Sequence, residues 1–449
     1  MEGSLYGRRK RNINQFRRRG LTLALRRPKV CTLVAVCSVL LALLPTPAHA
    51  KTELHVWLIF PQDIIDWVQK RLVPEFQQRH PDVEVVITPH TWTSIIEAYP
   101  VASAAGVPPD ITTVGGNYIA SVMDGRLQPL ERFIEQGGEV EAIHPAAWNP
   151  FLGVRYHVPL NLDIRIGAYH KEVFWEAGLD ANTPPQSWEE IEEAAKRTTR
   201  TSGDNLVRRG WQSATGVIGA AQEFGHFLFQ NEGEIISEDL RTFLYNDEKG
   251  IETLEFMKRM YEIYQPPGMR FAGGSFATQN VAMQLGSYDL YRSILLGSNP
   301  DLLDQLGAFF PRRSPETRPV ALNFVNGLGI HPQSKHPELA WEFINLFVTE
   351  EAAMVFLNAG ILHPRADIAD WVMEAHPGIM PWYLAIEYAR PWPLEPASAW
   401  NPPEDSLGER VMQAITGQIP PQAALQEAIR VQQARLVERW ALWEGRTSQ

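Results

Sequence analysis

Three short apolar runs separated by helix-forming stretches constrain this chain more than any other feature. LHVWLIF (Leu54–Phe60), VEVVIT (from Val83) and ITTV (from Ile111) each have the length and composition of a buried strand. After the first run, Pro61 and Asp63 open a helix that carries Ile64, Trp67, Val68, Leu72 and Phe76 on one face. His80, Pro81 and Asp82 stop it. Strands spaced by helices of this length predict an α/β fold, with mostly parallel sheets flanked by helices. The length of the chain predicts two domains.

The stretch VPLNLDIRIGAYHKEVFWEAGL, from Val158 to Leu179, opens the second region. Leu160, Leu162, Ile164 and Ile166 alternate with Asn161, Asp163 and Arg165, so one face of this strand is apolar and the other polar. Ser187 followed by Glu190 reads as a capping box at a helix start. Further elements are a helix over Thr253–Tyr264, a strand, turn and helix in AMQLGSYDLYRSI, and strands at FFP and LNFVNGLGI. Pro337 suits a first helical turn, and Thr349 caps the next helix ahead of Glu350 and Glu351. Two helices close the chain, near 405–416 and 421–443.

The first 50 residues have a different chemistry. Ten basic residues and one acid, Glu2, precede the apolar run VCTLVAVCSVLLALL, and Ala48-His49-Ala50 follows it. This order predicts a secretory signal peptide cleaved after Ala50. Fifteen apolar residues are short for a membrane span, which needs about 20. The chain has 41 basic and 52 acidic residues, so the part after Ala50 keeps 31 and 51, a net charge of −20. Such an acidic exported chain is a poor partner for nucleic acid or anionic lipid. Both cysteines, Cys31 and Cys37, lie in the leader, so the remainder has neither disulfide nor thiol chemistry.

Most catalytic signatures are absent. No GxxxxGK[ST] loop, HExxH, GxSxG or CxxC occurs, and no histidines pair as HxH or HxxxH. The expectation is a protein that is not an enzyme and needs no cofactor or metal. Tryptophans near strand ends stand out instead: Trp57, Trp92, Trp392 and Trp400, with Tyr288. A flat aromatic face suits stacking on a sugar ring, and core packing is the competing use.

Four blocks carry a resemblance: GVPPDITTVGGNYIASVMDGRLQPL, VPLNLDIRIGAYHKEVFWEAGLDANTPPQSWEEIEEAAKR, FATQNVAMQLGSYDLY, and GLGIHPQSKHPELAWEFINLFVTEEAAMVFLNAGILHPRADI. In order and spacing they resemble the family 1 extracellular solute-binding proteins of bacterial ABC importers, the group containing maltose-, trehalose- and glycerol-3-phosphate-binding proteins. The resemblance implies a two-lobed periplasmic-binding-protein fold with three hinge crossings, near 158–163, 309–311 and 360–364. The lobes are then 51–159 with 312–361, and 163–308 with 365–449.

The implied function is periplasmic capture of a sugar or polyol, delivered by a monomer to the permease subunits of an importer. A phosphorylated polyol, a receptor-coupled sensor and an exported carbohydrate-active enzyme are the alternatives. In open α/β sheets ligands sit beyond the carboxyl ends of strands. Applied here, that rule and the resemblance name Trp57, Phe60, Gln62, Trp92, Gly115, Gly116, Asn117, Asn326 and Gly327 from the first lobe. From the crossing and the second lobe they name Asp163, Arg165, Gln222, Tyr288, Arg365, Trp392 and Trp400. Aromatics would cover ring faces, Asp163 would accept hydroxyl hydrogen bonds, and Asn117, Gln222 and Arg165 would fix orientation. Arg165 with Arg365 would read a phosphate, and an Arg165–Asp163 ion pair is the competing arrangement.

Overall fold

The computed structural model describes residues 51–295, 297, 300–393 and 407–447. The expected signal peptide and Trp400 lie outside the described residues. Among the described residues eleven strands run in chain order: β1 (Thr52–Leu58), β2 (Val83–Pro89), β3 (Ile111–Val114), β4 (Val158–His170), β5 (Arg200–Ser202), β6 (Asn205–Gln212), β7 (Arg270–Phe271), β8 (Val281–Gly286), β9 (Leu306–Phe309), β10 (Ala321–Ile330) and β11 (Ala389–Pro391). Their lateral order is β2-β1-β3-β10-β4-β8-β6-β5. In one lobe β1 pairs in parallel with β2 and β3, and β10 runs antiparallel to β3. In the other, β6 pairs in parallel with β8 and β7.

Strand β4 belongs to both lobes. Its first part, 158–165, pairs antiparallel with β10, and its last residues pair with β8 on one side and β9 on the other. The two-residue period of its sequence decides how it lies. Leu160, Leu162, Ile164 and Ile166 are buried at 1% exposure or less, while Asn161, Asp163 and Arg165 are half-buried. The register sets Asn161 opposite Asn326, Asp163 opposite Phe324 and Arg165 opposite Leu322. Directly opposed residues share a face, so on β10 the polar stripe of β4 meets Asn326 at one end and the apolar Phe324 and Leu322 beside Asp163 and Arg165.

Local signals hold up with small shifts. The segment 62–79 is helical throughout and buries Ile64, Val68, Leu72 and Phe76, with Trp67 at its margin. At the helix Trp188–Thr198 the Ser187 hydroxyl accepts from the Glu190 amide at 3.2 Å, but the Glu190 carboxylate accepts from the Gln186 amide rather than from that of Ser187. The expected helix over Thr253–Tyr264 starts earlier, at Glu248, where Asp247 caps it. Gly360 is followed by a bridge between Arg365 and Ile143, and Ala366 donates to the Ala142 carbonyl. The chain at 365–366 is therefore bonded to segment 142–144, which precedes β4. No described helix is long and apolar enough to cross a membrane.

Candidate solute-binding cleft

Arg165 organises the site. Its guanidinium lies 3.1 Å from the Asp163 carboxylate, donates to Gln222 Oε1 at 2.8 Å, and sits 4.5 Å above the Phe324 ring. One cation thus joins β4, β10 and the helix Val217–Gln230. Spacings of three and four residues put Gly219, Gln222, Glu223 and His226 on one face of that helix. These residues line a cavity of about 430 Å³ together with Arg165 and the ends of β6 and β8. Gln212 and Gln284 are register partners at the carboxyl ends of those two parallel strands. Ser213, Thr215, Ser287 and Asp289 complete the polar lining. Asp163, Ser287 and Asp289 continue into an adjoining crevice.

Charge in the cavity leans acidic. Glu223 is 8% exposed and accepts from the Ala214 amide at 2.8 Å and from Trp211 Nε1 at 3.3 Å. Burial still pushes its carboxyl up to about 7. Partial burial and the neighbouring Asp163 hold Asp289 above the usual carboxylate range. His226 is buried beside them, and that burial pushes it down to about 3, so it is neutral.

These groups give a signed pH prediction. Burial depresses His157, His226 and His363 to about 3 and His170 and His331 to about 4. Below pH 6.5 the unfolded chain takes up protons that the folded chain refuses, so stability falls as pH drops from 6.5 toward 4. Glu223 has the opposite sign: its folded value is raised, so its contribution falls as pH rises from about 4.5 to 7. One such group changes stability by about 1.4 kcal/mol per pH unit inside its window. Scanning calorimetry from pH 7 to 4 is expected to show a falling melting temperature. In Glu223→Gln that fall is expected to be steeper, because the only opposing slope among these six groups is gone.

A second cluster forms on the first lobe. Gly115 packs so closely against the Trp92 ring and Asn326 Oδ1 that a Cβ there would collide with both. Asn117 Oδ1 accepts from the Gly115 amide at 3.3 Å, and the half-buried Gly116 lies between them. Gly327 follows a register shift in β10 next to Asn326. The structure therefore gathers Trp92, Gly115, Asn117 and Asn326 at one end of the β4–β10 floor, and Asp163, Arg165 and Gln222 at the other.

Other expected residues lie elsewhere. Trp57 packs against His90 and Tyr99 and lines a separate hollow with Glu53, His55 and Asp110. It is the penultimate residue of β1, and its ring packs on Tyr99 of the helix Trp92–Ala104 and is not part of the lining of the cavity beside Arg165. Phe60 packs on Phe347 and Phe356, and Gln62 is exposed and donates to Asp66. Tyr288 does border the crevice beside Asp163, but it is 1% exposed with its hydroxyl donating to the Leu357 carbonyl at 2.8 Å, too buried to stack on a ligand. Arg365 is held by Asp367, Glu139 and the Val348 carbonyl, so the expected pairing with Arg165 gives way to local ion pairs. Trp392 is 5% exposed and packs against Gly225 so closely that a Cβ there would overlap its ring.

Gln212, Ser213, Glu223, Gln284 and Asp289 escaped the sequence reading. Their signal is positional: Gln212 ends β6 and Gln284 is its partner near the end of β8, and the strand over 205–212 carries no clear alternation in the sequence.

The model for bacterial extracellular solute-binding proteins matches residues 62–354. The chain belongs to that family. Among its relatives, the sn-glycerol-3-phosphate-binding periplasmic protein UgpB of Agrobacterium fabrum is 29% identical over 182 residues, 38% of this chain and 41% of the relative. The match thus spans about two-fifths of that relative's length. Among solved structures, the sugar-binding protein MalE from Xanthomonas citri superposes with a TM-score of 0.73 at 19% identity, covering 88% of this chain and 99% of that one. A solute-binding protein from Thermotoga lettingae TMO bound with α-D-tagatose gives 0.70 at 19% identity, covering 86% and 100%. These likenesses establish the two-lobed periplasmic-binding-protein fold for this solute-binding protein.

Proposed function

We propose that this solute-binding protein captures a neutral polyhydroxylated solute, a sugar or polyol, at the β4–β10 floor and delivers it to the permease subunits of an ABC importer. One observation carries the reading: the cavity beside Arg165 is lined by amides and hydroxyls, Gln212, Gln222, Gln284, Ser213, Thr215 and Ser287. Such groups donate to and accept from sugar hydroxyls, each bond contributing about 0.5–1.5 kcal/mol. In this reading Trp92 of the first lobe covers a ring face when the lobes approach by hinge rotation about 158–163, 309–311 and 360–364. The solute is released unchanged, and the protein acts as an exported monomer whose leader is removed after Ala50.

The names of the curated relatives favour a phosphorylated ligand, and the electrostatics oppose it. Arg165 is already engaged by Asp163 and Gln222, with Glu223 and Asp289 on the same cavity wall. A dianionic phosphate would enter against Asp289 and the ionised fraction of Glu223, with Arg165 already neutralised by Asp163. A thermal-shift panel of sugars, polyols and their phosphates tests both readings. A neutral ligand at 100 times its Kd is expected to add about 2.7 kcal/mol of stability. A shift given only by phosphorylated compounds would reverse the assignment. Product analysis after prolonged incubation should recover the ligand intact.

A further inference from the structure

A second hollow, of about 420 Å³, opens on the flank of the second lobe between the helices Lys171–Glu176 and Trp188–Thr198. Its walls are apolar: Phe174, Leu179, Pro184, Pro185 and Ala194. None of these residues lines the cavity beside Arg165. Its rim is acidic, formed by Asp180, Glu189, Glu190 and Glu193. Glu189 is paired with Arg313. Asp180 accepts from the Asn182 amide and the Thr183 hydroxyl, and Glu190 from the Gln186 amide. Neither carboxylate has an ion-pair partner among the described residues, and the same holds for the exposed Glu193. Glu189 and Glu190 also serve the start of their helix, where negative charge is favourable. Glu193, one turn further on, has no such role. Trp175, the residue that follows the wall residue Phe174, is 74% exposed.

We propose that this hollow docks a protein segment presenting a large apolar side chain flanked by lysine or arginine. The walls reward burial of one bulky group, and the carboxylates at the rim select a cationic flank and steer its approach. An exposed tryptophan on the helix that forms one wall suits an interface anchor. Charge also argues against the other occupants, since a second copy of this chain or an anionic lipid surface brings more negative charge to an acidic rim.

The test uses the full protein and three fluorescein-labelled hexapeptides in an anisotropy titration: Lys-Arg-Leu-Trp-Arg-Lys, the same peptide with both apolar residues replaced by serine, and Glu-Asp-Leu-Trp-Asp-Glu. Saturable binding of the first alone is expected, weakened about tenfold or more by Glu193→Lys and also weakened by Trp175→Ala. Both positions are exposed, so the fold tolerates the changes, and an unchanged melting temperature checks this. Equal binding of the serine peptide, or affinity unaltered by Glu193→Lys, would overturn the assignment. Self-association of the protein that Glu193→Lys abolishes would overturn it too, by giving the hollow to a second copy.

Discussion

Trp392→Ala is expected to destabilise the protein by about 3–5 kcal/mol, the usual cost of deleting a large buried aromatic. The ring is buried against Gly225 and lies 6.2 Å from the Phe324 ring. Its backbone amide donates to the Asn323 carbonyl at 3.0 Å, which ties the segment to β10. Removing the indole leaves a cavity beneath the strand that carries the polar floor, and a close-packed interior does not collapse to fill it. Denaturant titration should show a lowered midpoint with the slope unchanged. Ligand affinity, measured below the transition, should alter much less. The reverse pattern, full stability with lost affinity, would return Trp392 to the cleft.

The second large effect is expected at Arg165. Arg165→Met is expected to weaken solute binding about 100-fold, or about 2.7 kcal/mol, because it leaves Asp163 without its counter-charge and Gln222 without its donor. The apolar stem of methionine still covers Phe324, so the loss of fold stability is expected to be small. Arg165→Lys is not expected to rescue binding. An ammonium is a single point charge and cannot hold Asp163 and Gln222 in the geometry of a planar fork. Titration calorimetry on both variants decides it, and wild-type affinity in Arg165→Met would remove this residue from the site. Asp163→Asn offers an independent check: by freeing the guanidinium, it is expected to improve binding of a sugar phosphate relative to the neutral sugar.

Much of the site floor was legible before any coordinates. The alternation of Leu160, Leu162, Ile164 and Ile166 with Asn161, Asp163 and Arg165 follows from the two-residue period of a strand, so the polar face of β4 could be assigned from spacing alone. The same local logic located the cap at Ser187 and the first-turn proline at Pro337. The aromatics were less legible. Trp57, Tyr288 and Trp392 have the chemistry of sugar platforms, but a sequence does not state whether a ring faces a cleft or a core. Arg365 illustrates the same point for charge, since its partners Glu139 and Asp367 include one more than 200 residues away.

The sequence by itself determined the alternation of strands and helices, the apolar and polar faces of each element, and the compositional break at Ala50. These are local consequences of side-chain period and backbone propensity. Only the tertiary structure decided which polar groups meet. Gln212, Gln222, Glu223 and Gln284 line one cavity because β6 and β8 lie side by side and the helix Val217–Gln230 starts just past the end of β6, and Arg165 reaches them from a third element. Burial and pairing are properties of that juxtaposition. They depend on neighbours distant in the chain, which no local pattern of residues encodes.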